Sequence, residues 1–460
     1  MTQTRSRTLR WLSAALVLGC TCVWTAGAEL ASQTRAQDPG VRTGTAAAGG
    51  ALDGLTAGQA EYFTRGQSDF AEAESMADGL GPRMNLDSCA GCHSQPAAGG
   101  SSPAVNPQVA FAALNGGRDL LPSFITANGP VREARFVTNP DGSPDGGVHA
   151  LFTLTGREGN TACALPQPNF ASAIAGHNVI FRIPTPTFGA GLIEQIPDSA
   201  ILANQAAQSA LKRALGVSGR PNFRVSGRAV SGQTNNNGND GTIARFGWKA
   251  QNKSLLLFAG EAYNVEMGIS NELFPTERDE TSACQFASVP NSVSNPDATS
   301  PVDALSSIER FAMFMRLLAP PIPSTTTPGG ETSIANGKRL FSSVGCALCH
   351  TPSLMTGSAS VAALAKRSAD LYSDLLIHDM GVGLADGVSQ GQAGPREFRT
   401  APLWGLGQRI FLLHDGRTSD LVAAIRAHAS AASEANSVVL NYAALSEAQK
   451  QDLLNFLRSL

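Results

Sequence analysis

The sequence predicts a mainly α chain of two domains, the first enlarged by an irregular insertion with some β-structure. Three observations predict it. One string, Cys-x-x-Cys-His, occurs twice, as Cys89-Ala-Gly-Cys92-His93 and Cys346-Ala-Leu-Cys349-His350. Apolar residues at helical spacing gather around these strings and at the C-terminus. Between residues 100 and 300, roughly, the chain turns rich in Gly, Pro and Asn, which interrupt helices.

The elements follow in chain order. Arg5, Arg7 and Arg10 precede the apolar stretch Trp11 to Val23 and the small-residue site Ala26-Gly27-Ala28, so residues 1–28 are expected to be an export signal and the product periplasmic. Val17-Leu18-Gly19-Cys20 loosely resembles a lipobox, which makes lipoprotein anchoring at Cys20 the alternative, although Leu18 fits that pattern poorly. Residues 29–55 are expected to be a flexible segment, and 56–319 the N-terminal domain. That domain should open on a polar helix, Glu61 to Glu74, and close on the stripe Ile308, Phe311, Ala312, Met315 and Leu318, with Met313 and Met315 as core residues. Inside the insertion, Phe223 to Val230 and Thr242 to Trp248 read as strands around the turn Asn235-Asn-Asn-Gly238. Residues 320–333 form a Pro/Thr/Gly linker and 334–460 the C-terminal domain. The latter should open on a helix through Leu340 and Phe341 and end on Ser446 to Leu460. There Ser446 and Gln449 make a capping box, and Leu453, Phe456, Leu457 and Leu460 an apolar stripe.

Cys-x-x-Cys-His is the attachment signature of c-type haem: two thiols add to the porphyrin vinyl groups and the His ligates iron. Zinc or a dithiol would explain Cys-x-x-Cys alone but not the repeated adjacent His. Cys89, Cys92 and His93, and Cys346, Cys349 and His350, are therefore expected to hold two covalently bound haem c groups. Of eight cysteines, Cys20 and Cys22 lie in the leader and four in the motifs. Cys163 and Cys284 remain, and in an oxidising compartment they suggest a disulfide worth ~4–5 kcal/mol on the chain-entropy model. Two buried free thiols are the alternative. Of 34 Lys+Arg and 37 Asp+Glu, three arginines belong to the leader, leaving a mildly acidic mature chain. No basic patch points to nucleic acid. The acidity suits a basic redox partner and is equally ordinary for a soluble protein.

Leu412-Leu-His-Asp-Gly-Arg417, preceded by Phe398-Arg-Thr-Ala-Pro-Leu-Trp-Gly-Leu-Gly407, resembles the segment after the second haem of bacterial di-haem cytochrome c peroxidases. With Asp374-Leu-Leu-Ile-His-Asp-Met-Gly381 and Glu261-Ala-Tyr-Asn-Val-Glu-Met-Gly268, the chain is closer still to their sister group, the di-haem oxidoreductases, also described as thiol oxidoreductases. The likeness runs from about residue 60 to 460, and it implies two class I cytochrome c-like domains.

The resemblance also implies roles. His428 stands fourteen residues after His414, in register with the distal ligand of the family's low-spin haem, which implies His350/His428 ligation at a low potential. Met380, and more weakly His378, are the rival ligands. Trp248, six residues before Ser254-Leu255, matches a tryptophan between the two haems, and Glu266 matches the acid–base glutamate beside the N-terminal haem. Phe258 stands where the peroxidases carry a Gln. His149 and His177 fall in no family register, so an open or water-bound position is expected at the iron of His93. Calcium is a further family feature: Thr400 and Pro402 match its carbonyl ligands, while an Asn ligand is replaced near Ile183. The expected function is a peroxidase-like oxidoreductase. A small cytochrome- or cupredoxin-type donor would feed the C-terminal haem, and a small-molecule oxidant would be reduced at the N-terminal one. The alternatives are a non-enzymatic di-haem electron carrier and an oxidative enzyme acting on a thiol, protein or organic substrate.

Overall fold

Two helix crossings, each next to a Cys-x-x-Cys-His motif, organise the protein. They are seen in a computed structural model that describes residues 35–45, 47–114, 120–153, 162–223, 229–230, 233–234, 243–276, 283–284 and 289–460. The expected export signal, Cys20 and the Asn235–Gly238 turn lie outside the described residues. Ala36–Leu460 forms one compact unit. The described chain is mostly helical, with one three-stranded and several two-stranded sheets.

In the first crossing, helix Ala57–Ala71 starts at a capping box of Thr56 and Gln59 and buries Phe63, Gly66 and Phe70. It packs on helix Ser307–Leu317, where Phe314 lies 5.4 Å from Phe63 and 4.9 Å from Phe70, ring centre to ring centre. Gly66 is required: a Cβ there would strike the Arg310 carbonyl and the Phe314 Cβ. The second crossing repeats the device. Helix Gly330–Val344 meets the terminal helix Glu447–Ser459 at Gly337, whose missing Cβ leaves room for the Asp452 carbonyl and Phe456. Phe341 and Phe456 stack edge-on at 5.4 Å, and the Ser446/Gln449 capping box forms as the sequence predicts. An apolar core surrounds each crossing.

Two expectations are corrected. From Ala36 onward the segment expected to be flexible is tied down: the Ala36 N–H donates to Glu447 (2.7 Å), Asp38 pairs with buried Arg458 (2.7 Å), and the Arg42 N–H donates to Gly407 (2.7 Å). The Leu52 N–H then reaches the Leu317 carbonyl at 2.8 Å, so the strap touches both closing helices. The cause is Arg458, which has 1 % of its surface exposed and needs a carboxylate. The linker also ends early, because the helix starts at Gly330.

The insertion carries a three-stranded antiparallel sheet that the sequence reading missed, Val148–His149, Glu133–Phe136 and Val179–Arg182 in spatial order. Strand alternation buries Ala134 and turns Glu133 and Arg135 to the opposite face. Where the strand pair is expected, the described residues pair Asn222–Phe223 with Ile243–Ala244 and Ala229–Val230 with Gln233–Thr234. Cys163 and Cys284 are disulfide-bonded, with Cα atoms 4.7 Å apart. No described helix is long and apolar enough to cross a membrane.

Candidate functional site

Each motif is one tight turn. Ser88 caps the turn Cys89–Cys92 by accepting the Gly91 N–H (3.2 Å), and the His93 N–H closes it on the Cys89 carbonyl (3.0 Å). At the second motif the His350 N–H reaches the Cys346 carbonyl at 2.9 Å. Each turn brings two sulfurs and one imidazole to the wall of its own cavity.

The imidazoles are held alike. Nδ1 of His93 lies 3.0 Å from the Gly100 carbonyl, Nδ1 of His350 3.0 Å from that of Tyr372, and Nδ1 of His428 2.8 Å from that of Ala424. A carbonyl only accepts, so Nδ1 carries the hydrogen in all three; Nε2 of His350 and of His428 then keeps its lone pair, the state a metal ligand requires, while the His93 ring also meets the Thr185 carbonyl. Burial favours this neutral form, pushing His93 and His350 down to about 4 and lowering His428. His378 differs. Its Nε2 meets Asp374 at 2.9 Å and its Nδ1 meets Glu434 at 2.8 Å, so neither nitrogen is available, and this rival ligand is set aside. Cys349, Asp374 and His378 cluster as a metal site would, but His378 is spent on carboxylates and Cys349 belongs to the motif. Met380 lines the same cavity as His350 and His428. His149 is bound to Asp145 (2.8 Å) and stacked on Phe136, and neither it nor His177 lines either motif's cavity.

The cavity at His93 has a volume of about 390 Å³ and the one at His350 about 240 Å³. They share a wall of Ile183, Pro184 and Trp248. Trp248 is fixed there by its indole N–H, which donates to the Ile183 carbonyl at 2.9 Å.

The residues fit a haem in each cavity. Beyond thiols and imidazole, each wall holds guanidinium groups short of partners. At the second, Arg399 and Arg409 form no ion pair with a carboxylate among the described residues, and burial pushes both down to about 10. The Arg409 Nε, and in the first cavity the Nε of Arg132, have no hydrogen-bond partner, whereas Arg182 already pairs with buried Asp386 (2.7 Å). Cations placed so call for an anionic ligand, which haem propionates provide. Calcium fits less well. The Thr400 carbonyl accepts the Ser373 hydroxyl (2.6 Å), and the Pro402 carbonyl accepts Arg409 (2.7 Å), so both expected ligands are engaged and a guanidinium stands beside one of them. No calcium site is assigned.

The chain matches, over residues 132–460, the family described as "Di-haem oxidoreductase, putative peroxidase". It belongs to that family. The matched span takes in Trp248, Glu266 and the second motif, and begins after the first motif. No curated protein matches the chain. Among solved structures, a chain of Kuenenia stuttgartiensis hydrazine synthase is 17% identical, over 35% of this chain and 56% of that one, with a TM-score of 0.22. This chain thus spans about half of that chain's length, and a score so low carries no argument.

In this di-haem oxidoreductase the first cavity is the polar one. Glu266 projects into it from helix Leu255–Met267, and its Oε2 accepts Asn85 Nδ2 at 2.6 Å. Its carboxyl also hydrogen-bonds Glu133, which Arg135 holds at 2.6 Å. Burial and the Glu133 charge raise the Glu266 pKa, whereas Glu133 is held low, Arg135 overcoming the effect of burial. Phe258 lines this cavity and stacks near Phe246. Glu133, Arg135, Asn85, Arg399 and Arg409 escaped the sequence reading. The one signal for the first two was the alternation in Arg132-Glu-Ala-Arg135.

Proposed function

We propose that this di-haem oxidoreductase is a periplasmic, peroxidase-like enzyme with two covalently bound haem c groups in class I cytochrome c-like domains. Cys89 and Cys92 would anchor the first haem with His93 as its ligand, and Cys346 and Cys349 the second with His350. The Gly66 and Gly337 crossings support the domain reading, since each motif follows an opening helix that meets a closing helix through a glycine. When bound, the haems supply one-electron transfer and an iron position for the oxidant.

The observation that carries the reading is the asymmetry of two cavities sharing Trp248. The second is largely apolar and presents a second imidazole, His428, with Nε2 free, which supports His350/His428 ligation and an electron-transfer role. The first presents carboxyls, arginines and amides, and no second imidazole among its lining residues. Such a wall can orient a small oxidant and move its protons. Trp248 packs between the two and shortens the electron path. A small cytochrome- or cupredoxin-type protein would supply electrons at the second site.

The test mixes the reduced holoprotein with hydrogen peroxide and follows both haem absorptions. The reading expects rapid reoxidation in wild type, and slower reoxidation of the C-terminal haem in Trp248→Phe with both haems retained. A wild type whose reduced haems survive peroxide and bind no carbon monoxide would be an electron carrier instead.

A further inference from the structure

Resting on the peroxidase-like reading, we infer that Glu133 is the base and Glu266 the acid of one carboxyl pair that shares a single proton beside the N-terminal haem position. A lone glutamate shuttle would require Glu266 to accept a proton first. The geometry argues against that order. Ionised carboxylates only accept hydrogen bonds, so the contact between Glu133 and Glu266 needs a proton on one of them. Arg135 Nε donates to Glu133 Oε1 at 2.6 Å and its Nη1 to the Gly146 carbonyl at 2.8 Å, a fixed cation that favours the anion at Glu133. Glu266 has the neutral Asn85 amide instead, and Asn85 is itself immobilised by the Leu151 N–H (2.8 Å) and by its own N–H to the Glu266 carbonyl (2.7 Å). The proton therefore rests on Glu266.

The other charged groups around the pair are Arg182 from the neighbouring strand, Glu261 from the helix of Glu266, and Asp87 near the motif. Arg182 favours the anion at Glu133, while Glu261 favours the charge on Arg135. Strand Glu133–Phe136 and helix Leu255–Met267 come from distant parts of the chain, yet both carboxyls line one cavity wall.

The pair supplies base and acid at once. Peroxide gains two electrons from the reduced haem pair and two protons, and yields two waters. As the O–O bond breaks, the departing oxygen takes the proton of Glu266, while Glu133 receives the proton of the other oxygen and returns it as that oxygen is reduced. Solvent supplies the second proton and reprotonates Glu266.

Infrared and stopped-flow measurements on the holoprotein test this. Wild type at neutral pH should show a buried carboxylic-acid band that shifts in deuterium oxide and disappears in Glu266→Gln, separate from that of Glu74, which burial pushes up to about 7 and which Glu266→Gln leaves in place. Glu133→Gln should keep both haem spectra and slow peroxide cleavage by about 10²–10⁴-fold, the usual worth of acid–base assistance. Glu133→Asp should recover part of the rate. A reactive wild type with an equally fast Glu133→Gln variant, or one with no such band, overturns the pair alone. A wild type inert to peroxide overturns the parent reading and this role with it.

Discussion

His93, His350 and His428 each place Nδ1–H on a backbone carbonyl, and His350 and His428 keep the Nε2 lone pair, while His378 spends both nitrogens on carboxylates. That contrast separates ligand candidates from a structural imidazole better than sequence register can. It leaves His428, His414 and Met380 in one cavity, and of these His428 has the orienting bond. His428→Ala should convert the C-terminal haem partly to high spin and shift its potential, while Met380→Ala should leave the spectrum near wild type. The reverse pattern, read by absorption and magnetic circular dichroism, would make the pair His350/Met380.

At the scale of elements, the glycine crossings and the N-terminal strap hold the cavities in shape. Gly337→Ala or Gly66→Ala forces a methyl into a carbonyl and should cost about 1–3 kcal/mol, measured by denaturant unfolding of the holoprotein. The strap depends on Asp38. Burial opposes its charge, but the Arg458 guanidinium and two backbone N–H groups win, holding it below the ordinary 3.8. A carboxyl depressed on folding stabilises above its unfolded pKa, and that stability is lost as pH falls through the folded value. Limited proteolysis near residue 40 should therefore rise only at strongly acidic pH in wild type, and already at neutral pH in Asp38→Asn. The helices at both motifs were legible because capping boxes and apolar stripes are local signals. The three-stranded sheet was not. Its central strand pairs Glu133 with Arg182 and Phe136 with Val179, contacts set by tertiary packing that no local pattern announces.

Across the whole molecule, the haem motifs, Trp248 and Glu266 were readable because they stand in recognisable strings, and the structure places them on two cavities with one shared wall. Glu133, Arg399 and Arg409 matter only through what they face, so the sequence kept them hidden. Thiol chemistry joins these parts. With two cysteines in each haem linkage and Cys163 bonded to Cys284, the holoprotein from residue 36 onward should show no free thiol after denaturation without reductant. Mass spectrometry should find two haem groups surviving acid–acetone extraction. The central claim is that the two sites differ, one closed by two imidazoles and one open to an oxidant. Electron paramagnetic resonance of the oxidised holoprotein tests it most directly. The account predicts one low-spin and one high-spin ferric signal, with only the high-spin signal lost on adding cyanide; two low-spin signals, both indifferent to cyanide, would contradict it.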